Sequence, residues 1–434
     1  MINENHQQTR HPYPSQGCLA VPRNERQRRM VLYSHDTMGI GHMRRNLLIA
    51  QTLASPPFRA SVLLIAGASE ASAFGFPSGV DCLTLPSLRK ESNGHYQSRR
   101  LRMETKQLIQ LRAKAIAAAL DEFAPDVFVV DKVPRGALGE LEPALQSLKR
   151  RGSTRCILGL RDVLDDPATV IREWAEEKNE DAVREFYDAV WVYGDANVYD
   201  PVREYQLTTD VAAKVKFLGY LDQRQRTGIA DSEGAEVLKA LSAPSDRLAM
   251  CTVGGGQDGA HLAETFAQAH FPPGMTGVIL TGPFMPAEAR RRLAAHSARN
   301  PNLRILKFVT DADLLLSRAD RVVAMGGYNT VCEVLSFEKP ALIVPRVKPR
   351  LEQLIRAERL KNLGVIDVLH PDQLTPDSLT SWLQGDRPSP RGVHKQINLN
   401  GLRNLVRSLE ELFIAPATLW RAGHSDRRPT YVGQ

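Results

Sequence analysis

Three glycine clusters in this 434-residue chain stand where backbone N–H groups can meet an anion. Gly39-x-Gly41-His42, inside SHDTMGIGHMRRNLLIAQTLA, closes one apolar run and opens a helical pattern with Leu47, Leu48 and Leu53 on its apolar face. Gly254, Gly255 and Gly256 occupy the same place in RLAMCTVGGGQDGAHLAETFAQA. Gly326 and Gly327 do so in RVVAMGGYNTVCEVLSFEKPALIVP, with Asn329 and Thr330 in the next helical turn and Glu333 one turn further. A helix N-terminus beside glycines exposes unpaired N–H groups and the positive end of the helix dipole, which suit a phosphate or an oxyanion. The second and third loops together could cradle a diphosphate, with Glu333 placed to accept two hydrogen bonds from a ribose diol. The plainer reading of Glu333 is a helix-start carboxylate favoured by the dipole. The first loop is not a dinucleotide fingerprint, because Arg44 holds the third glycine position and the second strand ends in Ala66-Gly67 rather than an acid. That argues against a dehydrogenase, and the plain reading of a lone loop of this kind is a tight strand-to-helix turn.

These loops need strands to end beneath them and helices to start above them. Runs rich in β-branched residues recur at 30–34, 61–66, 81–85, 126–131, 155–160, 189–194 and 214–219, then at 247–253, 277–281, 303–308, 321–325, 341–345 and 365–369. Helical patterns separate most of them, as in a parallel sheet covered on both faces. The expectation is an α/β protein of two Rossmann-like domains, 30–219 and 247–394, with sheets facing a central cleft. Residues 220–246 read as a polar linker with a short helix, and 395–414 as a C-terminal helix that could cross back to the first domain. Residues 1–29 and 415–434 read as disordered basic tails.

The net charge of +7 is local. Residues 1–29 carry five Arg and two Glu, and residues 415–434 three Arg and one Asp. Arg89 to Lys114 alone carries eight Lys/Arg against Glu91 and Glu104. Only Tyr96 interleaves that stretch, in a chain that is 6% aromatic, so nucleic acid is not an expected partner. No apolar run reaches the ~18–20 residues that a spanning helix needs, and the polar N-terminus lacks a signal-peptide core, so a cytoplasmic protein is expected. The five cysteines are scattered without CxxC spacing, against a disulfide framework or a zinc site.

In the ordered motifs GGG, KFVTDADLLLSRADRVV, GGYNTxxE and PRVKPRLEQ the chain resembles nucleotide-sugar glycosyltransferases of GT-B fold. The likeness is to the family 28 group, which includes the lipid II-forming peptidoglycan N-acetylglucosaminyltransferase and the monogalactosyldiacylglycerol synthases. It spans roughly residues 30–385 and is strongest in the C-terminal half. The resemblance implies that Gly254–Gly256, Gly326 and Gly327 face the donor diphosphate, with Asn329 and Thr330 at the helix start. Val309 matches the position whose backbone pairs with the base, Glu333 the ribose-binding glutamate, and Glu352 with Gln353 the pair that contacts sugar hydroxyls. The plain reading of Glu352 and Gln353 is a solvated helix face. Gly39, Gly41 and His42 match the acceptor-side loop, whose usual GGTGGH is replaced here by DTMGIGH, suggesting a different acceptor.

The resemblance further implies transfer of a sugar from a nucleotide diphosphate sugar, a UDP-sugar above all, to an acceptor hydroxyl in cell-envelope or polysaccharide biosynthesis. No cofactor is expected. No acidic DxD pair stands at a suitable strand end, so transfer is expected to be metal-independent and inverting. His42, with an unperturbed pKa near ~6.5, suits the general base; Asp36 or Asp131, at the ends of the first and fourth strands, could serve instead. The stretch 88–120 reads as a polar loop leading into a basic amphipathic helix. There Arg99, Arg100, Arg102 and Lys106 could meet a phosphate-bearing or lipid-linked acceptor, or an anionic membrane on its inner face; the plainer reading is a solvated helix face. Two other readings stand beside transfer: a UDP-sugar 2-epimerase-like enzyme, which needs no acceptor, and a non-catalytic sugar-nucleotide-binding protein.

Overall fold

The computed structural model describes residues 27–35, 41–67, 75–90, 96–224, 247–307, 309 and 312–414. The strands of the first half are β1 (Arg29–Ser34), β2 (Ser61–Ala66), β3 (Val80–Thr84), β4 (Leu88–Lys90), β5 (Tyr96–Ser98), β6 (Val127–Asp131), β7 (Arg155–Arg161), β8 (Ala189–Tyr193) and β9 (Val215–Phe217). Those of the second are β10 (Arg247–Thr252), β11 (Met275–Leu280), β12 (Leu303–Leu306), β13 (Arg321–Ala324), β14 (Ala341–Ile343) and β15 (Asp367–Val368).

The first sheet has seven strands in the order β3-β2-β1-β6-β7-β8-β9 and the second six in the order β12-β11-β10-β13-β14-β15. All neighbours in both sheets are parallel. Once β4 and β5 are set aside as a separate antiparallel pair, both halves follow one doubly wound order. It reverses direction between β1 and β6, and again between β10 and β13. Central strands such as β6, β8 and β13 are buried along their whole length, because helices cover both faces of each sheet. Their Val-rich sequences carry no alternation for the same reason.

The halves are joined by contacts distant in sequence. The guanidinium of Arg356 donates to Asp162 through Nε (2.8 Å) and Nη2 (2.6 Å), and Tyr220 Oη donates to the same carboxylate (2.7 Å). Asp165 accepts from Arg350 Nη1 at 2.9 Å and from the Leu351 amide at 2.7 Å. The terminal helix Gly401–Ile414 lies against the first half, where Asn404 Nδ2 donates to the Leu218 carbonyl at 2.7 Å and Phe413 stacks on Phe58.

Two sequence expectations are corrected here. Tyr220, Leu221 and Gln223, read as the start of a polar linker, are buried, and Leu221 bridges to Asn400. Tyr220 is drawn in by its bond to Asp162 and by stacking on Tyr328. Residues 225–246 lie outside the described residues. The basic stretch holds an amphipathic helix as read, but the segment before it is not simply a polar loop, since it carries a short strand pair. Leu88–Lys90 and Tyr96–Ser98 form the short hairpin, Arg99, Arg100 and Arg102 precede the helix Thr105–Phe123, and that helix buries Leu108, Arg112, Ile116 and Leu120. Arg112 turns inward because Glu140 is buried opposite it: Nη2 donates to Glu140 at 2.7 Å and Nη1 to the Pro86 carbonyl at 2.6 Å.

Candidate active site

The carboxyl ends of the two sheets meet at a pair of adjoining cavities. The larger, about 1180 Å³, is walled mainly by the first half; the smaller, about 250 Å³, is walled by the glycine loops of the second. His42, Arg161, Gln257 and Arg346 border both.

His42 lies in the first turn of the helix Gly41–Ala54. Its Nδ1 is 2.9 Å from Asp131 Oδ2 at the end of β6, and Arg45 Nη2 donates to both oxygens of Asp131. Burial opposes the charge on Asp131, but Arg45 and His42 outweigh it and hold the carboxyl well below its ordinary range. Nδ1 also lies 3.0 Å from Arg45 Nη2, a donor already bonded to Asp131; in the tautomer that donates Nδ1–H to the ionised carboxylate, Nε2 keeps its lone pair. Burial, aided by Arg45 and Arg161 and opposed by Asp131, pulls the His42 imidazole down to about 4. It is therefore a neutral proton acceptor at physiological pH. His35 at the end of β1 has its ring centre 5.4 Å from that of His42; it too is held neutral, above all by burial, and its Nδ1 is buried without a partner.

The smaller cavity is lined by Gly254–Gly256, Val309, Gly327, Asn329, Thr330, Glu333 and Gln353. Gly256 holds φ +88° with its Cα hydrogen against the Thr281 carbonyl, where a Cβ would come within 2.1 Å; only glycine keeps this turn open. Gly327 N-caps the helix Tyr328–Ser336 and has open space where a Cβ would stand, so a ligand can approach the backbone closely. Two contacts cross the cleft: Asn329 Nδ2 donates to the Gly41 carbonyl at 2.9 Å, and Arg44 Nη2 to Glu333 Oε1 at 3.1 Å.

Other residues singled out in the sequence fall differently. Gly326, expected beside a diphosphate, lies behind the loop: its carbonyl accepts from Arg356 Nη1 at 3.0 Å, and the Gln353 backbone packs against its Cα. Glu352 and Gln353 are buried rather than solvated, because Arg346 gathers them. Its Nη2 donates to Glu352 Oε1 at 2.7 Å and its amide to Gln353 Oε1 at 3.1 Å, leaving Glu352 Oε2 buried and unpartnered. Arg99, Arg100 and Arg102 line neither cavity. Asp36 and Gly39 lie outside the described residues. Sequence reasoning passed over His35, Arg44, Arg45, Lys132 and Arg161. The signal for the last two was present, since DVFVVDK and RCILGLRD are apolar runs that end abruptly in charge.

Two doubly wound halves, facing ligand cavities at their strand ends, define the GT-B fold. The solved glycosyltransferase of kitacinnamycin shares it, with a TM-score of 0.57 and 17% identity over 90% of this chain and 100% of that one. So does UDP-GlcNAc 2-epimerase from Neisseria meningitidis bound to UDP-GlcNAc, with a TM-score of 0.55 and 13% identity over 89% of this chain and all of that one. Residues 250–395 match the glycosyltransferase family 28 C-terminal domain. A UDP-N-acetylglucosamine–N-acetylmuramyl-(pentapeptide) pyrophosphoryl-undecaprenol N-acetylglucosamine transferase of Salmonella arizonae is 28% identical over 153 residues, 34% of this chain and 43% of that protein. The curated relatives are matched over 19% to 43% of their own length.

Proposed function

We propose that the protein transfers a sugar from a nucleoside diphosphate sugar, a UDP-sugar, to an acceptor hydroxyl with inversion at the anomeric carbon and without a metal ion. The observation that carries this reading is the neutral His42, braced by Asp131, at the junction of the two cavities and opposite the family 28 donor loops. In this mechanism the acceptor oxygen attacks the anomeric carbon while His42 Nε2 takes its proton. The bond to the diphosphate oxygen breaks on the opposite face. Asp131 is thus a positioning residue rather than the base: paired to Arg45, it is a poor proton acceptor but stabilises the imidazolium that forms. The amides around Gly254–Gly256 and Gly327 take up the leaving diphosphate's charge, and Glu333 takes the ribose.

We also propose that the half-buried Arg99 and the exposed Arg100 and Arg102, with Leu101 half-exposed between them, face an anionic membrane carrying a lipid-linked acceptor. Reversing the three charges should abolish binding to anionic vesicles; unchanged binding removes this part of the reading.

The donor reading is tested by a thermal-shift series of UDP-, dTDP- and GDP-sugars, since a ligand at 100 times its Kd adds ~2.7 kcal/mol. A UDP-sugar should raise the melting temperature in the parent and not in Glu333→Ala. Stabilisation by none of them, with Glu333→Ala unchanged, sinks it. NMR of the product's anomeric proton reads inversion directly. Consumption of a UDP-sugar with no acceptor present would favour the epimerase-like alternative, and binding without turnover a sugar-nucleotide-binding protein.

A further inference from the structure

The wall of the larger cavity carries several cations, most of them committed. Arg350 bonds Asp165 and Glu173, Arg346 bonds Glu352 and Asp258, and Arg135 bonds Glu142. Lys132 and Arg161 differ. They stand at the ends of the adjacent strands β6 and β7, held in register by the Lys132 amide donating to the Gly159 carbonyl at 2.8 Å. Among the described residues, neither the Lys132 ammonium nor the Arg161 guanidinium has a hydrogen-bond or ion-pair partner, and Arg161 Nε is buried without one. Lys132 holds a left-handed backbone, φ +71°, a conformation that a non-glycine residue adopts at a cost.

We infer that Lys132 and Arg161 form a subsite for an anionic group, a carboxylate or a phosphate, carried by the acceptor near the hydroxyl that reacts. The inference rests on the transferase reading above. Two half-buried cations are brought together with no carboxylate bonded to either. Lys132 is accordingly pulled down to about 8, by burial first and then by Arg161 and Arg350. Glu352 and Asp131, whose fields reach both, are bonded to Arg346 and to Arg45. An oxyanion between them restores the balance through charge-assisted bonds, and the guanidinium can grip two oxygens at once. The pair belongs to the acceptor and not to the donor diphosphate for a geometric reason. Arg161 borders both cavities, but Lys132 lines only the larger, so a group that meets both cations lies on that side, away from the phosphate-suited glycine loops of the smaller.

Calorimetry on the full chain separates this inference from the one beneath it. UDP titrated alone tests the donor site; absence of binding there overturns the transferase reading, while the cation pair is still tested on the unloaded protein. The UDP-saturated protein is then titrated with inorganic phosphate and with methyl glucuronide. At least one of these should bind, and Lys132→Met and Arg161→Met should each weaken it by about tenfold or more, the loss expected for a charge-assisted bond; UDP affinity should be unchanged in Lys132→Met, whose residue lines the larger cavity alone. Lys132→Arg should retain most of the binding, which separates lost charge from lost fold, and melting temperatures should not fall in the Met variants. The inference is overturned if neither probe binds, if the double Met variant binds them as well as the parent, or if they bind only when UDP is absent. It is likewise overturned if the variants weaken UDP-glucuronate relative to UDP-glucose, which would place the anion on the donor sugar.

Discussion

His42 owes its chemistry to what surrounds it. Free histidine titrates near ~6.5, but this side chain is drawn from water and set between Asp131 and Arg45, so it stays neutral to about pH 4. The acid limb of kcat/KM should therefore lie near pH 4, and a limb near ~6.5 would show that His42 is not the base. His42→Ala should lower kcat by ~10²–10⁴-fold, the usual contribution of a general base, while leaving UDP affinity intact. Stability follows with a definite sign. Between about pH 6.5 and 4 the unfolded chain binds a proton at this position that the folded chain refuses, so unfolding gains on folding as pH falls. The contribution of neutral His42 is complete above ~6.5 and lost toward 4. His35 acts in the same direction. Melting curves across this window should be flatter for His42→Gln than for the parent; an equally steep fall would contradict the assignment.

At the scale of elements, the helices Gly41–Ala54 and Tyr328–Ser336 touch across the cleft through Arg44–Glu333 and Asn329–Gly41. Arg44 thus occupies the carboxylate assigned to the ribose, and a nucleoside must displace it. Arg44→Met should tighten uridine, which carries no phosphate for the arginine to meet; unchanged or weaker uridine binding would show that the bridge does not compete. The glycine loops were legible as elements because a strand, a turn and a helix start are each local events. The antiparallel pair β4–β5 was not, because three-residue strands carry too little pattern. The amphipathic character of helix Thr105–Phe123 was legible but the inward turn of Arg112 was not, because Arg112 reads as solvated charge until Glu140 is placed opposite.

Across the whole molecule, the relation between the halves rests on polar contacts, and Arg356–Asp162 lies at their centre with both side chains at 0% exposure. Asp162→Ala strands a buried guanidinium and should cost about 3–5 kcal/mol, read by denaturant unfolding. Replacing both partners with leucine and methionine should recover much of it. A loss below about 1 kcal/mol for the single change would show that water or domain opening relieves the charge.

The sequence by itself determined the α/β character and the recurrence of strand, glycine loop and helix, because these follow from periodicity and from residues that turns and helix starts require. The tertiary structure decided which charges meet. Asp131 became the brace of His42, Gly326 moved behind its loop, Arg346 withdrew Glu352 and Gln353 from water, and Lys132 and Arg161 came together with no bonded counterion among the described residues. Electrostatic roles depend on distance and burial between residues up to 289 positions apart, as for Arg44 and Glu333. No local pattern encodes such separations until the two sheets are folded and set face to face.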